Sequence, residues 1–138
     1  MAPDVTVVRL GHRQQRDKRI TSHLGLTARA MGASHFVLCG DEDEGVLTTL
    51  ADVSQTFGGD FTTEYRKGAL SWLRHFKSEG GTIVHLTMYG EPHDEVTSQI
   101  DQTGSIAVVV GGAKVPGEIY KLADHNVAVG HQPHSEVA

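Results

Sequence analysis

The chain holds one cysteine, Cys39, in 138 residues. That excludes an internal disulfide and any multi-cysteine zinc site. Its apolar surroundings mark the thiol as inert core rather than nucleophile. No apolar run approaches the roughly 18 residues needed to span a membrane, and the N-terminus has no signal-peptide pattern. The cytoplasm is therefore the default expectation. Several catalytic signatures are also missing. There is no GxSxG elbow, no GxGxxG, no Walker loop and, despite nine histidines, no HExxH or zinc-spaced Cys/His cluster. No metal site is expected.

What is present describes one domain over residues 1–138, long enough to bury roughly two thirds of its unfolded surface without a staple. The net charge of −5 argues at first against a nucleic-acid partner. Its distribution argues the other way. Between Arg9 and Arg29 six bases (Arg9, Arg13, Arg16, Lys18, Arg19 and Arg29) face one acid, Asp17, whereas the rest of the chain sets six bases against sixteen acids. One arginine-rich segment on an acidic body implies a local anion site such as a phosphate backbone. A solvated surface loop is the plainer reading. Five arginines to one lysine favour planar, bidentate phosphate recognition.

Hydrophobic patterning predicts alternating strands and helices. Strands are expected at Val5–Leu10, His35–Cys39, Thr82–Met88, Ser105–Val110 and Asn126–Val129. Helices are expected at Ile20–Met31, from the acidic run Asp41–Glu44 to about Phe57, at Tyr65–Ser78, at Glu91–Asp101 and near Pro116–Ala123. Thr21 or Ser22 is the candidate cap of the first helix, and Asp41–Glu44 reads as a solvated helix start. Several strands are apolar throughout, which predicts an α/β domain whose parallel sheet is covered on both faces. Its ligand is expected at the carboxyl ends of the strands.

Three strand-to-loop junctions are candidates for that site. The strand Ile83–Leu86 runs into Thr87–Gly90. Ile106–Val110 runs into Gly111 and Gly112, with Pro116 stiffening the exit. Asn126–Val129 runs into a polar loop carrying His131, Pro133, His134, Ser135 and Glu136, where a further helix is expected to begin. Glycine past a buried strand lets a ligand approach the backbone, although a Gly-Gly pair is also an ordinary turn. Three such loops at one sheet edge would form one crevice.

The stretch RLGHRQQRDKRITSH over residues 9–23, with ARAMGA over 28–33, closely resembles the N-terminal motif of the archaeal tRNA (cytidine-2'-O)-methyltransferases of the SPOUT (SpoU-TrmD) superfamily, which act on cytidine 56 of the T-loop. VVVGGAKVP over 108–116 and NVAVGHQPHSEVA over 126–138 are similar to that family's second and third motifs.

The resemblance implies a parallel α/β fold with a deep trefoil knot in its C-terminal half, working as a homodimer on tRNA. S-adenosyl-L-methionine would sit between three loops, contributed here by Leu86, by Gly111, Gly112, Ala113, Lys114 and Val115, and by Val129, Gly130, His131, Gln132, Pro133, His134, Ser135 and Glu136. An arginine near the start of the first helix is expected to act on the ribose hydroxyl. The candidates are Arg16, Arg19 and Arg29, with Arg19 favoured by position. Arg9, His12, Arg13, Arg16 and Lys18 are expected to hold RNA. The chain stops at Ala138, just as the third motif's helix is expected to start, and so reads as truncated relative to the family, which leaves completion of the knot open. The alternatives are a non-catalytic RNA-binding module derived from such an enzyme, and a nucleotide-binding α/β protein with no RNA role.

Overall fold

The computed structural model of the chain describes residues 4–112 and 114–138. Six strands form one sheet: β1 (Val5–His12), β2 (His35–Gly40), β3 (Thr62–Arg66), β4 (Thr82–Pro92), β5 (Ile106–Val110) and β6 (His125–Ala128). Their order is β3-β2-β1-β5-β4-β6, and every neighbouring pair is parallel. Five helices connect them: α1 (Lys18–Ala30), α2 (Glu44–Phe57), α3 (Leu70–Ser78), α4 (His93–Val96) and α5 (Gly117–Leu122). No helix among the described residues is long and apolar enough to cross a membrane.

The strand alternation sends side chains to two helical layers. Val7, Phe36, Leu38 and Val110 meet Leu24 and Ala28 of α1 and Val46 and Leu50 of α2. On the opposite face Val8, Val37, Cys39, Ala107 and Val109 meet Leu73 of α3 and Ile119 of α5. Val96 of α4 closes a smaller cluster with Val84, Ile106 and Val127. Both faces of the central strands are buried, which is why their sequences run apolar rather than alternating.

Some expectations need correction. Residues 62–66 form the edge strand β3, paired from His35↔Thr62 to Cys39↔Arg66, and the helix expected from Tyr65 begins only at Leu70. The strand is polar because an edge strand half in water needs few apolar residues. The helix expected over 91–101 is reduced to α4 and one 3₁₀ turn, Thr97–Gln99. Residues 129–138 form turns and irregular backbone, with no helix among them. The first helix starts at Lys18, two residues before the expected start, so neither Thr21 nor Ser22 caps it. The acidic run is only partly solvated. Asp43 is buried, and its carboxylate accepts from the Val46 amide at the start of α2.

β4 is the strand that shapes the site. It pairs with β6 as far as Leu86↔Val127, swings out over residues 87–90, and returns to pair at Glu91↔Val127 and Pro92↔Ala128. The return presses Gly90 against the β6 backbone. A Cβ there would lie 2.5 Å from the Asn126 carbonyl atoms, so only glycine fits.

Candidate active site

The outward swing of β4 and the carboxyl ends of β5 and β6 enclose a cleft of about 540 Å³, within the range of roughly 300–1,000 Å³ of small-molecule sites. Of the residues expected to hold the cofactor, Leu86, Gly111, Gly112, Lys114, Val115, Val129, Gln132, Pro133, His134 and Glu136 line it. Gly130, His131 and Ser135 lie in the same loop but not on the wall; His131 Nε2 is 3.2 Å from the Gly90 carbonyl. Ala113 lies outside the described residues.

The lining also includes Thr87, Met88 and Tyr89 of the first candidate junction, together with His85, Val110, Tyr120 and Ala138, which were not expected to hold the cofactor. Tyr120 sits on α5 and carried no local signal. Its hydroxyl lies 3.0 Å from Thr87 Oγ1, and its carbonyl accepts from Asn126 Nδ2 at 3.0 Å. Asn126 Oδ1 is therefore left to accept from His85 Nδ1 at 2.9 Å. Burial pushes the His85 imidazole pKa below its ordinary value, and the bond to Asn126 only partly offsets this. Its burial thus favours the neutral form of His85 in the cleft lining.

The lining fits S-adenosylmethionine. Leu86, Val110, Val115, Val129 and Pro133 offer apolar surface to a purine ring. At Gly111 a Cβ would stand 2.3 Å from Val115 Cγ2, so glycine lets the loop fold back and leaves its backbone open to the cleft.

The arginine segment meets the same sheet edge, because α1 begins there and runs antiparallel to β1. Arg9 and His12, expected on an RNA-facing surface, are each 1% exposed. Both are turned inward. Arg9 Nη1 donates to the Gly111 carbonyl at 2.7 Å, and Nε donates to Thr21 Oγ1 at 3.3 Å. His12 lies between Thr21 Oγ1 at 2.8 Å and Asp43 Oδ2 at 2.9 Å. Lys18 Nζ donates to the other Asp43 oxygen at 2.9 Å. Burial alone would raise the Asp43 pKa, but Lys18 and His12 more than reverse it and hold the carboxyl below its ordinary range.

Arg13 stays exposed and clamps Asp17 through its backbone amide, Nε and Nη2 at 3.0, 2.9 and 3.1 Å. That clamp lowers the Asp17 pKa against the opposing effect of burial. Arg16 and Arg19 are exposed and make no ion pair among the described residues. The structure does not bring Arg29 to the cleft. It lies eleven residues beyond Lys18 on α1, roughly 16 Å along a helix that rises ~1.5 Å per residue. There Arg29 Nη2 donates to the Gly58 carbonyl.

The parallel sheet and its strand order define an α/β fold shared with solved methyltransferases of the SpoU/TrmH class. Solved structures of that class superpose on nearly the whole chain. The SpoU methyltransferase AviRb from Streptomyces viridochromogenes, solved in complex with the cofactor AdoMet, gives a TM-score of 0.67 at 14% identity, covering 99% of this chain and 54% of that one. The A. aeolicus TrmH/SpoU tRNA modifying enzyme gives 0.66 at 17% identity, covering 96% and 66%.

Sequence comparison is more specific. A family model described as "tRNA ribose 2'-O-methyltransferase, aTrm56" matches residues 57–138. The tRNA (cytidine(56)-2'-O)-methyltransferase of Methanopyrus kandleri is 47% identical over 138 residues, covering all of this chain and 78% of its own length. That of Methanothrix thermoacetophila is 53% identical over 137 residues, covering 97% and 76%. The chain belongs to the family of archaeal tRNA ribose 2'-O-methyltransferases, aTrm56.

Proposed function

We propose that this chain transfers a methyl group from S-adenosyl-L-methionine to the ribose 2'-hydroxyl of a tRNA cytidine, nucleotide 56 of the T-loop. The observation that carries this reading is the junction of two features at one sheet edge: the glycine-walled cleft at the swing of β4 and the ends of β5 and β6 and the exposed cations at the start of α1. Relatives covering the whole chain are named for that reaction.

When bound, the cofactor supplies the electrophilic methyl group. The protein supplies alignment and charge. A ribose hydroxyl is a weak acid, so a cation beside the oxygen lowers the barrier by stabilising the charge that develops as its proton leaves. Arg19 is exposed in the first turn of α1, and we assign it this role; Arg16, one loop turn earlier, is the other candidate. Arg13, Arg16 and Lys18 hold phosphates. Asp17 fixes the Arg13 backbone and guanidinium, so that this cation is presented in one orientation rather than many. A homodimer, a knotted C-terminal half and a cytoplasmic location belong to the same reading and rest on the family resemblance.

The test is methyl incorporation from labelled S-adenosylmethionine into a tRNA transcript, set beside a transcript carrying 2'-deoxycytidine at position 56. Incorporation into the first and none into the second is expected. Equal incorporation into both would place the methyl group elsewhere and overturn the assignment.

A further inference from the structure

The Arg9 side chain is 1% exposed, and a guanidinium is rarely buried unless its donors are met. Its donors here reach three separate segments. Nη1 donates to the Gly111 carbonyl at 2.7 Å and stands 3.5 Å from Glu136 Oε1. Both Gly111 and Glu136 line the cofactor cleft. Nη2 stands 3.6 Å from Asp17 Oδ2, the carboxylate that Arg13 clamps. One buried charge is therefore common to the cofactor loops and to the cationic segment.

Its two ion pairs are loose. At 3.5 and 3.6 Å they exceed the ~2.7–2.9 Å of a closed charge-assisted bond. Nη2 is buried with no hydrogen-bond partner among the described residues. A buried donor left unmet is costly, so a state in which both carboxylates close on the guanidinium is favoured. Glu136, 33% exposed, has freedom to move.

We propose that Arg9 is a positioning residue that makes cofactor binding and tRNA binding mutually reinforcing. Closure of the cleft fixes Glu136 and the Gly111 carbonyl. They fix the guanidinium, and it in turn fixes Asp17 and, with it, Arg13. Because coupling is reciprocal, RNA held by the cationic segment tightens the cleft by the same factor. The proposal rests on the functional reading above.

The test measures the dissociation constant of S-adenosylhomocysteine from the 138-residue chain, with and without saturating unmodified tRNA transcript. The non-reactive product avoids turnover. In the unsubstituted chain tRNA should tighten binding about fivefold or more. Arg9→Lys and Glu136→Gln should each bring that factor towards one. A merely structural role would lower thermal stability and both affinities while leaving the ratio unchanged. If Arg9→Lys does not fold, Glu136→Gln decides, because its side chain is part-exposed. A factor of one in the unsubstituted chain, or an unchanged factor in Glu136→Gln, overturns the proposal and leaves the methyltransferase reading standing. No binding of S-adenosylhomocysteine at all overturns both.

Discussion

Replacing Gly111 with alanine should reduce cofactor affinity through one identifiable contact, the overlap with Val115. The glycine does not adopt a positive φ, so alanine brings no backbone strain. Its Cβ, however, would stand 2.3 Å from Val115 Cγ2, and no other atom of the described residues lies within 3.4 Å. Valine is stiff about χ1, so it cannot swing aside freely and must shift into the cleft it lines. Overpacking of this kind costs about 1–3 kcal/mol. If that cost falls on the bound state, affinity drops about fivefold to just over a hundredfold, at 1.4 kcal/mol per factor of ten. Calorimetric titration of S-adenosylmethionine reads the loss, and circular dichroism checks that the fold persists. The decisive variant is Gly111→Ala combined with Val115→Ala, which removes the colliding methyl. It should bind more tightly than Gly111→Ala alone, and about as well as Val115→Ala alone. A double variant no better than Gly111→Ala would refute the steric reasoning.

Three further outcomes follow from the same geometry. Arg19→Ala should lower methyl transfer about a hundredfold or more while changing S-adenosylmethionine affinity little; equal losses in both would remove Arg19 from the catalytic role. Asp43→Asn should cost about 1–3 kcal/mol in urea unfolding, because His12 and Lys18 lose a buried acceptor. The folded pKa values of Asp17 and Asp43 lie below the ordinary range. Their stabilisation is thus fully present above the unfolded carboxylate pKa of about 3.9 and is lost as pH falls through the folded values. Unfolding midpoints measured from pH 6 down to 2 should decline below about pH 4, less steeply in Asp43→Asn. Burial pushes the Cys39 thiol up to about 12, so a thiol reagent at pH 8 should modify it only after denaturant is added. Fast labelling of the native chain would contradict its place in the core.

The local sequence determined what depends on local chemistry. Apolar runs at Val5, His35, Thr82, Ile106 and Asn126 became strands because a sheet buried on both faces needs them apolar. The glycines at the swing of β4 and after β5 and β6 marked segments that do converge on one cleft. A parallel sheet puts all its carboxyl ends at one edge, so three junctions legible one by one become a single site. The edge strand β3 was not legible, since Thr62, Thr63, Glu64 and Arg66 carry little apolar pattern and their pairing with β2 is what makes them a strand.

Tertiary structure alone decided the roles of charged residues. In the sequence, Arg9, His12, Arg13, Arg16, Lys18 and Arg19 form one basic run with Asp17 as its single acid. In the fold, Arg9 and His12 turn inward to Gly111 and Asp43, while Arg16 and Arg19 stay in water. The partner of Arg9 lies 102 positions along the chain, and no periodicity within a helix or strand reports such a distance. The same holds for Tyr120, which reaches the cleft only because α5 packs beside β4. Hydrophobic pattern is set by nearest neighbours and can be read along the chain. Whether a charge is buried and paired is set by whatever the folded topology places opposite it.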